Sequence, residues 1–218
     1  MSVEVVEADK PNGPRSRKGV KTRARLVQAA KEIFEENGFL DARISDIAER
    51  AGLSHGSFYH YFESKEQVFR EVAETVDERI AAPLTEVVLA PSSTATPAER
   101  IREAMRAHLE TYREDARIMG VIEQVSRYDD YVHDVLRDRH KHYTEQIADS
   151  IRQLQRRGLA DRDLDPTVAA TALGAMTNRF AELWLAQGQL ECDVDAGAEQ
   201  LARLYMNALG LQDKKAKR

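Results

Sequence analysis

Hydrophobic residues recur along most of the chain at intervals of three and four, the spacing that places them on one face of an α-helix. Almost no stretch shows the alternation of β-branched and polar residues that indicates a strand. The sequence therefore predicts an all-α protein. In the first third of the chain the stripes predict helices at 22–37, 44–51, 55–61 and 64–82, and we expect the last to end at Pro83.

The rest of the chain carries clear start and stop signals for helices. The linker APSSTATP at 90–97 ends in Thr96 and Pro97, and Glu99 completes the arrangement of a capping box. Gly158 closes one long apolar stripe and Asp165 opens the next. From these signals we predict helices at 97–112, 115–126, 132–154, 166–187 and 195–209.

The third predicted helix, within GLSHGSFYHYF at 52–62, has two unlike faces. At about 100° per residue, Phe58, Tyr61 and Phe62 fall on one side, where they can enter a core. The opposite side displays Ser, His, Gly and Tyr. With the helix at 44–51 and the Gly-containing turn between them, this segment has helix-turn-helix form, in which the second helix enters the major groove of DNA.

The run from Lys21 to Phe69 resembles the DNA-binding domain of TetR-type bacterial transcriptional regulators. The resemblance rests on NGF at 37–39 and on ISDIAERAGLSHGSFYHYFESKEQVF at 44–69, which keep the family motif in register. It implies a dimer in which the last two helices of each subunit form a four-helix interface. We accordingly divide the chain into a flexible basic arm at 1–20, a helix-turn-helix DNA-binding domain at 21–67, a ligand-binding and dimerisation domain at 68–210 and a loose tail at 211–218.

The resemblance also implies roles for individual residues of the first domain, and their chemistry suits those roles. Hydroxyl, imidazole and phenol groups can bond base edges or phosphates, and a basic group at a helix start favours a phosphate. The residues predicted to face DNA are Thr22, Arg23, Arg43, Ser45, Ser54, His55, Gly56, Ser57, Tyr59, His60 and Lys65.

One departure from the family pattern lies just before the second helix. Where the family often has two hydroxyl residues, this chain has Ala42 and Arg43, so the usual hydroxyl cap is missing. Two hypotheses follow from the departure. The first is that Asp41 caps the helix one residue early, and the second is that Arg43 contacts a phosphate or a base instead.

The distribution of charge matters more than the net charge of −5. Residues 10–31 carry eight Lys or Arg side chains and no acid, whereas residues 71–218 carry 20 basic and 26 acidic side chains. The basic arm is either a solvated extension or a contact to the DNA backbone or minor groove, and the sequence leaves both open. A single Cys192, no export signal in residues 1–10 and no apolar run of bilayer length favour a cytoplasmic location.

The second predicted domain contains polar residues on apolar stripes. His108 and His140 are there either as hydrogen-bonded core histidines or as ligand contacts. Asn178 and Arg179 interrupt an apolar helix, and buried polar groups cost free energy unless bonded, so they line either a ligand cavity or a subunit interface. The candidates for ligand contact, several of them core residues by default, are Met105, His108, Tyr112, Met119, Ile122, Tyr143, Asn178, Arg179, Phe180 and Trp184.

The expected function is that of a homodimeric, ligand-responsive repressor that a small hydrophobic effector releases from a palindromic operator in double-stranded DNA. The family resemblance suggests a mostly apolar small molecule as that effector, and a long acyl chain or acyl-CoA is one guess at its identity. The dimer is expected through the helices at about 166–187 and 195–209. The small residues expected to allow close helix packing there are Ala169, Ala170, Ala172, Gly174 and Ala175.

Two other functions remain open at this point. The first is a DNA-binding regulator without a small effector. The second is an enzyme, which the sequence disfavours because it contains no plausible nucleophile triad, metal box or phosphate-binding glycine loop. We expect no cofactor and no metal site, and we expect the histidines at 133, 140 and 142 near Asp134 and Asp138 to form a solvated helix face.

Overall fold

The computed structural model describes residues 17–89 and 95–211, with the side chains at 85–89 and of Arg139 left out. Those residues form helices and connecting turns and contain no strand, which confirms the all-α prediction. The helices are α1 Arg17–Asp41, α2 Ile44–Arg50, α3 His55–Phe58, α4 Lys65–Leu89, α5 Pro97–Val125, α6 Asp130–Arg156, α7 Pro166–Ala181 with a π-helical turn Glu182–Ala186, and α8 Val194–Ala208.

The chain divides into two compact units, and the boundary between Val72 and Ala73 lies inside α4. The core of the first unit is built around aromatic rings. Phe69 meets Phe34 edge to face at 5.0 Å and Phe39 at 4.8 Å between ring centroids, so the start of α4 packs on the end of α1. Gly38 has φ +71°, and it kinks the chain before α1 ends at Asp41.

Helix α1 begins five residues before the predicted start. The prediction of a flexible arm is therefore wrong for residues 17–20, which are helical. Gly19 is buried, and the Thr22 hydroxyl donates to the Lys18 carbonyl at 3.0 Å, so this first turn is held by local contacts. Residues 1–16 of the predicted arm, residues 90–94 of the linker and residues 212–218 of the predicted tail lie outside the described residues.

The segment after α2 differs from the predicted seven-residue helix. Helix α3 covers only His55–Phe58, and a turn follows at 59–61. The amides of Tyr61 and Phe62 both donate to the Phe58 carbonyl, at 2.9 Å and 3.1 Å. The first of these is the tighter three-residue bond that often ends short helices. Tyr61, predicted to be core, is half-buried at this turn.

Two predicted helix ends are absent from the second unit. Helix α4 continues through Pro83 to Leu89. A proline inside a helix removes one backbone donor and can kink the helix without ending it. Helix α5 runs unbroken through Asp115, which was predicted to start a separate helix. The Asp115 side chain is buried and accepts a 2.8 Å hydrogen bond from Nε of Arg79 on α4, so its acidity serves a contact between helices.

Other predicted signals are confirmed. Thr96 and Glu99 form the capping box of α5, and Asp165 accepts the amides of Thr167 and Val168 at the start of α7. In the second unit α5 packs on α8 and on the π-helical turn, and α6 packs on α7. None of the described helices combines the length and apolar composition that a bilayer crossing requires.

Candidate nucleic-acid interface and effector cavity

The short helix α3 separates anchored residues from displayed ones. Phe58 and Phe62 are buried, whereas His55, Gly56 and His60 are exposed and Tyr59 is 49% exposed. Ser54 caps the helix, since its hydroxyl accepts the Ser57 amide at 3.2 Å.

The displayed groups of α3 can act together on one partner. The rings of His55 and Tyr59 meet edge to face at 5.3 Å between centroids, so the two polar tips belong to one patch. The Ser57 hydroxyl lies 2.7 Å from that of Ser54 and retains acceptor capacity beyond this bond. Imidazole, phenol and hydroxyl groups on an exposed helix, with Gly56 between them, suit contacts to base edges and phosphates.

Two predicted phosphate contacts are engaged inside the first unit. The Arg23 guanidinium bonds both carboxylate oxygens of Glu71, at 3.1 Å and 2.5 Å, and the Tyr61 carbonyl at 2.5 Å. The Lys65 ammonium donates to two carbonyls of the α1–α2 connection, Leu40 at 2.9 Å and Ala42 at 3.0 Å. Each cation therefore holds the fold locally, with only its remaining donors available to a phosphate.

Arg43 takes the position of the α2 N-cap. Its backbone carbonyl accepts the amides of Asp46 and Ile47, and its side chain makes no capping bond. The hypothesis that Asp41 caps α2 is wrong, because Asp41 is the last residue of α1. The Arg43 side chain is exposed beside the amides of the first turn, and both the charge and the amides favour an anion there.

The remaining predicted DNA contacts make local bonds. The Ser45 hydroxyl donates to the Asp46 carboxylate at 2.9 Å, and the Thr22 hydroxyl is held by Lys18 within α1. These bonds orient the two hydroxyls, which keep acceptor capacity for a further partner.

The start of α1 carries a stripe of exposed basic residues, which the sequence analysis did not identify as a candidate DNA-binding surface. Arg17, Lys21 and Arg25 are spaced four apart, so they lie on one face of the helix, and all three are exposed. Within the described part of the chain, their side chains make no ion pair. The four-residue spacing of the basic residues was the available signal, but treating residues 1–20 as an arm hid it.

The second unit contains a cavity of about 400 Å³ walled by α4, α5, α6 and α7. A cavity of this size suits a small organic ligand. Seven residues named from the sequence as ligand contacts or pocket candidates line it, namely His108, Tyr112, Met119, His140, Tyr143, Asn178 and Arg179.

Four predicted ligand contacts are not part of this wall. Met105 and Ile122 are buried in the core, and the ring of Phe180 packs at a tilt against that of Trp184 with 5.4 Å between centroids. Trp184 in turn lies against Gly197 on α8. Sequence reasoning missed lining residues that are small or acidic, because nothing in their spacing distinguishes them from helix surface; these are Asp77, Glu123, Thr171, Gly174, Ala175 and Glu182.

The charge of Glu182 acts on two other titratable groups of the cavity wall. Burial raises the pKa of Glu123, and the neighbouring Glu182 charge raises it further. Arg179 pairs with Glu182 at 2.6 Å, which leaves Glu123 without comparable neutralisation from that cation. Burial also raises the pKa of Tyr112, with smaller contributions from Glu182 and Glu123, so its hydroxyl stays protonated.

His108 is the most enclosed polar residue of the wall, at 1% exposed. Its Nδ1 lies 3.0 Å from the Ile80 carbonyl of α4. Burial lowers the pKa of His108, and the bond to Ile80 opposes that shift only in part. The imidazole is therefore held neutral, with its proton on Nδ1.

Helices α7 and α8 differ in part from the predicted dimer surface. Ala170 faces the interior and is fully buried, so it is not available to a partner subunit, whereas Gly174 and Ala175 line the cavity and Ala175 is also exposed. Val168 and Leu204 remain 67% and 53% exposed. Between the two helices, the hydroxyls of Thr177 and Tyr205 lie 3.1 Å apart.

The histidines considered for a metal site are spread over an open helix face. His133, His140 and His142 on α6 are all exposed. Over the described ranges, no group of three or more His, Cys, Asp or Glu side chains is arranged to hold a metal ion. Cys192 is exposed with a free thiol.

Comparison with known proteins gives two family matches that follow the division into units. Residues 26–72 match the family model described as "Bacterial regulatory proteins, tetR family", and residues 94–209 match "Tetracyclin repressor-like, C-terminal domain". The transcriptional regulator UidR of Escherichia coli is 30% identical over 191 residues, which cover 88% of this chain and 89% of UidR. The transcriptional repressor KstR2 of Mycobacterium tuberculosis is 34% identical over 88 residues, 40% of this chain and 42% of KstR2.

Solved structures show the same fold at lower identity. The regulator FadR of Bacillus subtilis, in complex with stearoyl-CoA, superposes with a TM-score of 0.69 at 19% identity, over 85% of this chain and 98% of FadR. This likeness extends across both units of the chain.

Proposed function

Since the chain belongs to the TetR family of DNA-binding transcriptional regulators, we propose that it is a homodimeric repressor that a small, mostly apolar effector releases from a near-palindromic operator. It acts by binding and not by catalysis, and its place is on the chromosome in the cytoplasm. The name of the relative KstR2, a transcriptional repressor, supports the direction of regulation.

The observation that carries the proposal is the displayed face of α3. His55 at the start of α3, and Tyr59 and His60 in the turn that follows it, are exposed, while Phe58 and Phe62 fix the other side of this segment in the core. The exposed groups of this patch are those that bond base edges and phosphates. The α1 stripe and Arg43 supply the charge for the phosphates beside the groove.

One short helix contacts too few base pairs for specific binding, which is the physical reason for a dimer. Two-fold symmetry doubles the contacts and requires two recognition helices about 34 Å apart, or a multiple of that, on a palindromic site. The exposed apolar side chains Val168 on α7 and Leu204 on α8, with the small exposed Ala172 and Ala208, provide a surface for a second copy of the chain.

The cavity supports an effector in the second unit. Its wall includes Asp77, Ile80, Ala81 and Leu84 of α4, and α4 begins in the first unit, so a ligand contacts a helix shared by both units. To change DNA affinity by the usual 5- to 150-fold, the effector must prefer the released state by about 1–3 kcal/mol. An acyl chain or acyl-CoA is one candidate class, because the structural neighbour FadR of Bacillus subtilis was solved with stearoyl-CoA.

Selection of bound fragments from genomic DNA tests the proposal. The purified chain should enrich fragments that share an inverted repeat, and it should retard the repeat as a dimer. Scrambling one half-site should reduce affinity much more than scrambling flanking DNA. Enrichment without an inverted repeat, or a monomer in light scattering at micromolar concentration, would contradict the proposed dimer.

The second candidate function is a DNA-binding regulator without a small effector. The selected operator also distinguishes this candidate from the first. A small-molecule library is screened for release of the selected operator, with thermal unfolding as the second readout. Compounds that stabilise the chain and release DNA support the effector. A chain that binds DNA tightly and responds to no compound supports the constitutive regulator.

A further inference from the structure

The cavity presents a hydrogen-bond acceptor of fixed identity. The Nδ1 proton of neutral His108 is directed to the Ile80 carbonyl at 3.0 Å, so the other ring nitrogen, Nε2, carries a lone pair and no proton. A second tautomer would place two acceptors, Nδ1 and the Ile80 carbonyl, against each other. The Ile80 carbonyl of α4 thus makes Nε2 of His108 a hydrogen-bond acceptor.

Nothing in the described part of the chain satisfies that acceptor. His108 Nε2 has less than 1 Å² of accessible surface and no hydrogen-bond partner. An unsatisfied buried polar atom costs about 1–3 kcal/mol, so natural proteins retain few of them without a use. Neighbouring atoms cover Nε2, so a ligand reaches it only if the wall rearranges slightly around His108. His108 is also the residue that is hydrogen-bonded to Ile80 of α4.

A donor lies one helical turn away from this acceptor. Tyr112 follows His108 by four residues on α5, and their ring centroids are 6.3 Å apart. Tyr112 is buried as a residue, its hydroxyl stays protonated, and no residue that the structure describes bonds that hydroxyl. A hydroxyl group both donates and accepts, so one hydroxyl on a ligand can satisfy Nε2 of His108 and the Tyr112 phenol together.

The acidic part of the described wall is unfavourable for an anion. Glu123 and Glu182 lie on this wall, and Arg179 is paired with Glu182 at 2.6 Å. A carboxylate or a phosphate placed here would meet like charge in a partly desolvated site, and neither could donate to His108. The charge pattern therefore separates hydroxyl compounds from fatty acids and coenzyme A esters.

We infer that the effector is an apolar alcohol or phenol whose hydroxyl donates to Nε2 of His108 and accepts from Tyr112. The inference deepens the proposed function and rests on it. The apolar body of the ligand fills the cavity of about 400 Å³ between the two aromatic residues and the apolar side chains of α4 and α6, such as Leu84 and Ile147.

Pairs of probes with and without a hydroxyl donor test the inference. Decanol is compared with methyl nonyl ether, which has the same atoms but no hydroxyl, and para-cyclohexylphenol with para-cyclohexylanisole, which adds one methyl group. Decanoate and decanoyl-CoA complete the panel. Dissociation constants are measured on the full chain by calorimetry, and each probe is also tested for release of the selected operator. The hydroxyl member of a pair should bind about tenfold more tightly than its ether.

Two variants assign the preference to one nitrogen. His108→Asn keeps an amide donor near the Nδ1 position but has no atom at Nε2, so the tenfold preference should fall to about equal binding. His108→Gln places its amide near the Nε2 position and should retain part of the preference. The comparison within each variant uses a ratio of two ligands, so a general loss of stability does not mimic the result.

The outcomes separate this inference from the proposed function. Three results would overturn the inference. The first is equal binding of the hydroxyl compound and its ether in both probe pairs, and the second is no binding by either hydroxyl compound. The third is tighter binding of decanoate or decanoyl-CoA than of the hydroxyl compounds. Retardation of the selected operator without any probe reports DNA binding independently. A chain that binds its operator but ignores the hydroxyl therefore contradicts the inference alone, whereas a chain that binds no DNA contradicts the proposed function.

Discussion

The Arg23 guanidinium of α1 bonds both carboxylate oxygens of Glu71 on α4, although the two residues are 48 positions apart. The same guanidinium bonds the carbonyl of Tyr61 and lies 4.1 Å above the ring of Phe62. Arg23 thus connects α1, the turn that follows α3, and the start of α4. We therefore expect Arg23 to affect DNA binding indirectly, through the position of α3.

Replacing Arg23 by Ala should destabilise the chain by about 1–3 kcal/mol, because it removes charge-assisted hydrogen bonds at a partly buried site. Urea unfolding, with circular dichroism as the readout, measures the change. Arg25→Ala is the matched control, since Arg25 is exposed on the same helix. Equal stability of the two variants would show that the Arg23 contacts contribute nothing.

Arg43→Ala should leave unfolding unchanged and weaken operator binding. The side chain is exposed at the start of α2 and makes no capping bond, so its contribution must come from the DNA. Losing one phosphate contact per subunit should reduce the slope of log affinity against log salt by about 1 per subunit. An unchanged affinity and slope in fluorescence anisotropy titrations would exclude the contact.

Gly197→Ala should destabilise the second unit. A Cβ at position 197 would lie 2.5 Å from two atoms of the Trp184 ring, which is too close for any side chain to adopt without a shift. Overpacking of this kind costs about 1–3 kcal/mol. Gly120→Ala on α5 is the control, because a Cβ there meets nothing within 4 Å and should be neutral or stabilising by up to about 1 kcal/mol. Equal effects would contradict the close contact.

Stability should fall as the pH drops through and below the ordinary pKa of histidine, about 6.5. Burial lowers the pKa of His108, so the unfolded chain takes up this proton at a higher pH than the folded chain, and acid favours unfolding. The contribution of neutral His108 to stability is fully present above the pKa of the histidine in the unfolded chain. It is lost as the pH falls from that value through the lower pKa of His108 in the folded chain. His108→Asn should flatten the stability profile between about pH 7 and pH 5 relative to the parent chain. Parallel profiles would mean that His108 is not the group responsible.

Helix periodicity and caps were the reliable part of the sequence. The box at Thr96, the cap at Asp165 and the turn at Gly158 each depend on neighbours within a few residues, so they could be predicted locally. Asp115 shows where local signals fail. An acid in a helical sequence looks like a new start, and only the distant Arg79 explains why it is buried inside α5.

The two candidate sites also differed in how far the sequence alone could predict them. The displayed side of α3 follows from helix geometry, so His55 and Tyr59 could be placed outward from sequence alone. The cavity forms where four helices meet, and its acids Glu123 and Glu182 carry no spacing that identifies them. Arg23 and Lys65 have the charge for phosphates, but their contacts to Glu71 and to backbone carbonyls depend on tertiary structure.

The affinity of the Tyr59→Ala chain for the selected operator tests the central claim, that the displayed face of α3 binds DNA. Tyr59, the C-cap residue of α3, is 49% exposed and belongs to the same patch as His55. Tyr128, on the second unit, is 55% exposed and provides a control of the same chemistry. Tyr59→Ala should weaken operator binding at least about tenfold, with unfolding unchanged within about 0.5 kcal/mol, whereas Tyr128→Ala should bind like the parent. Full operator affinity in the Tyr59→Ala chain would contradict the account.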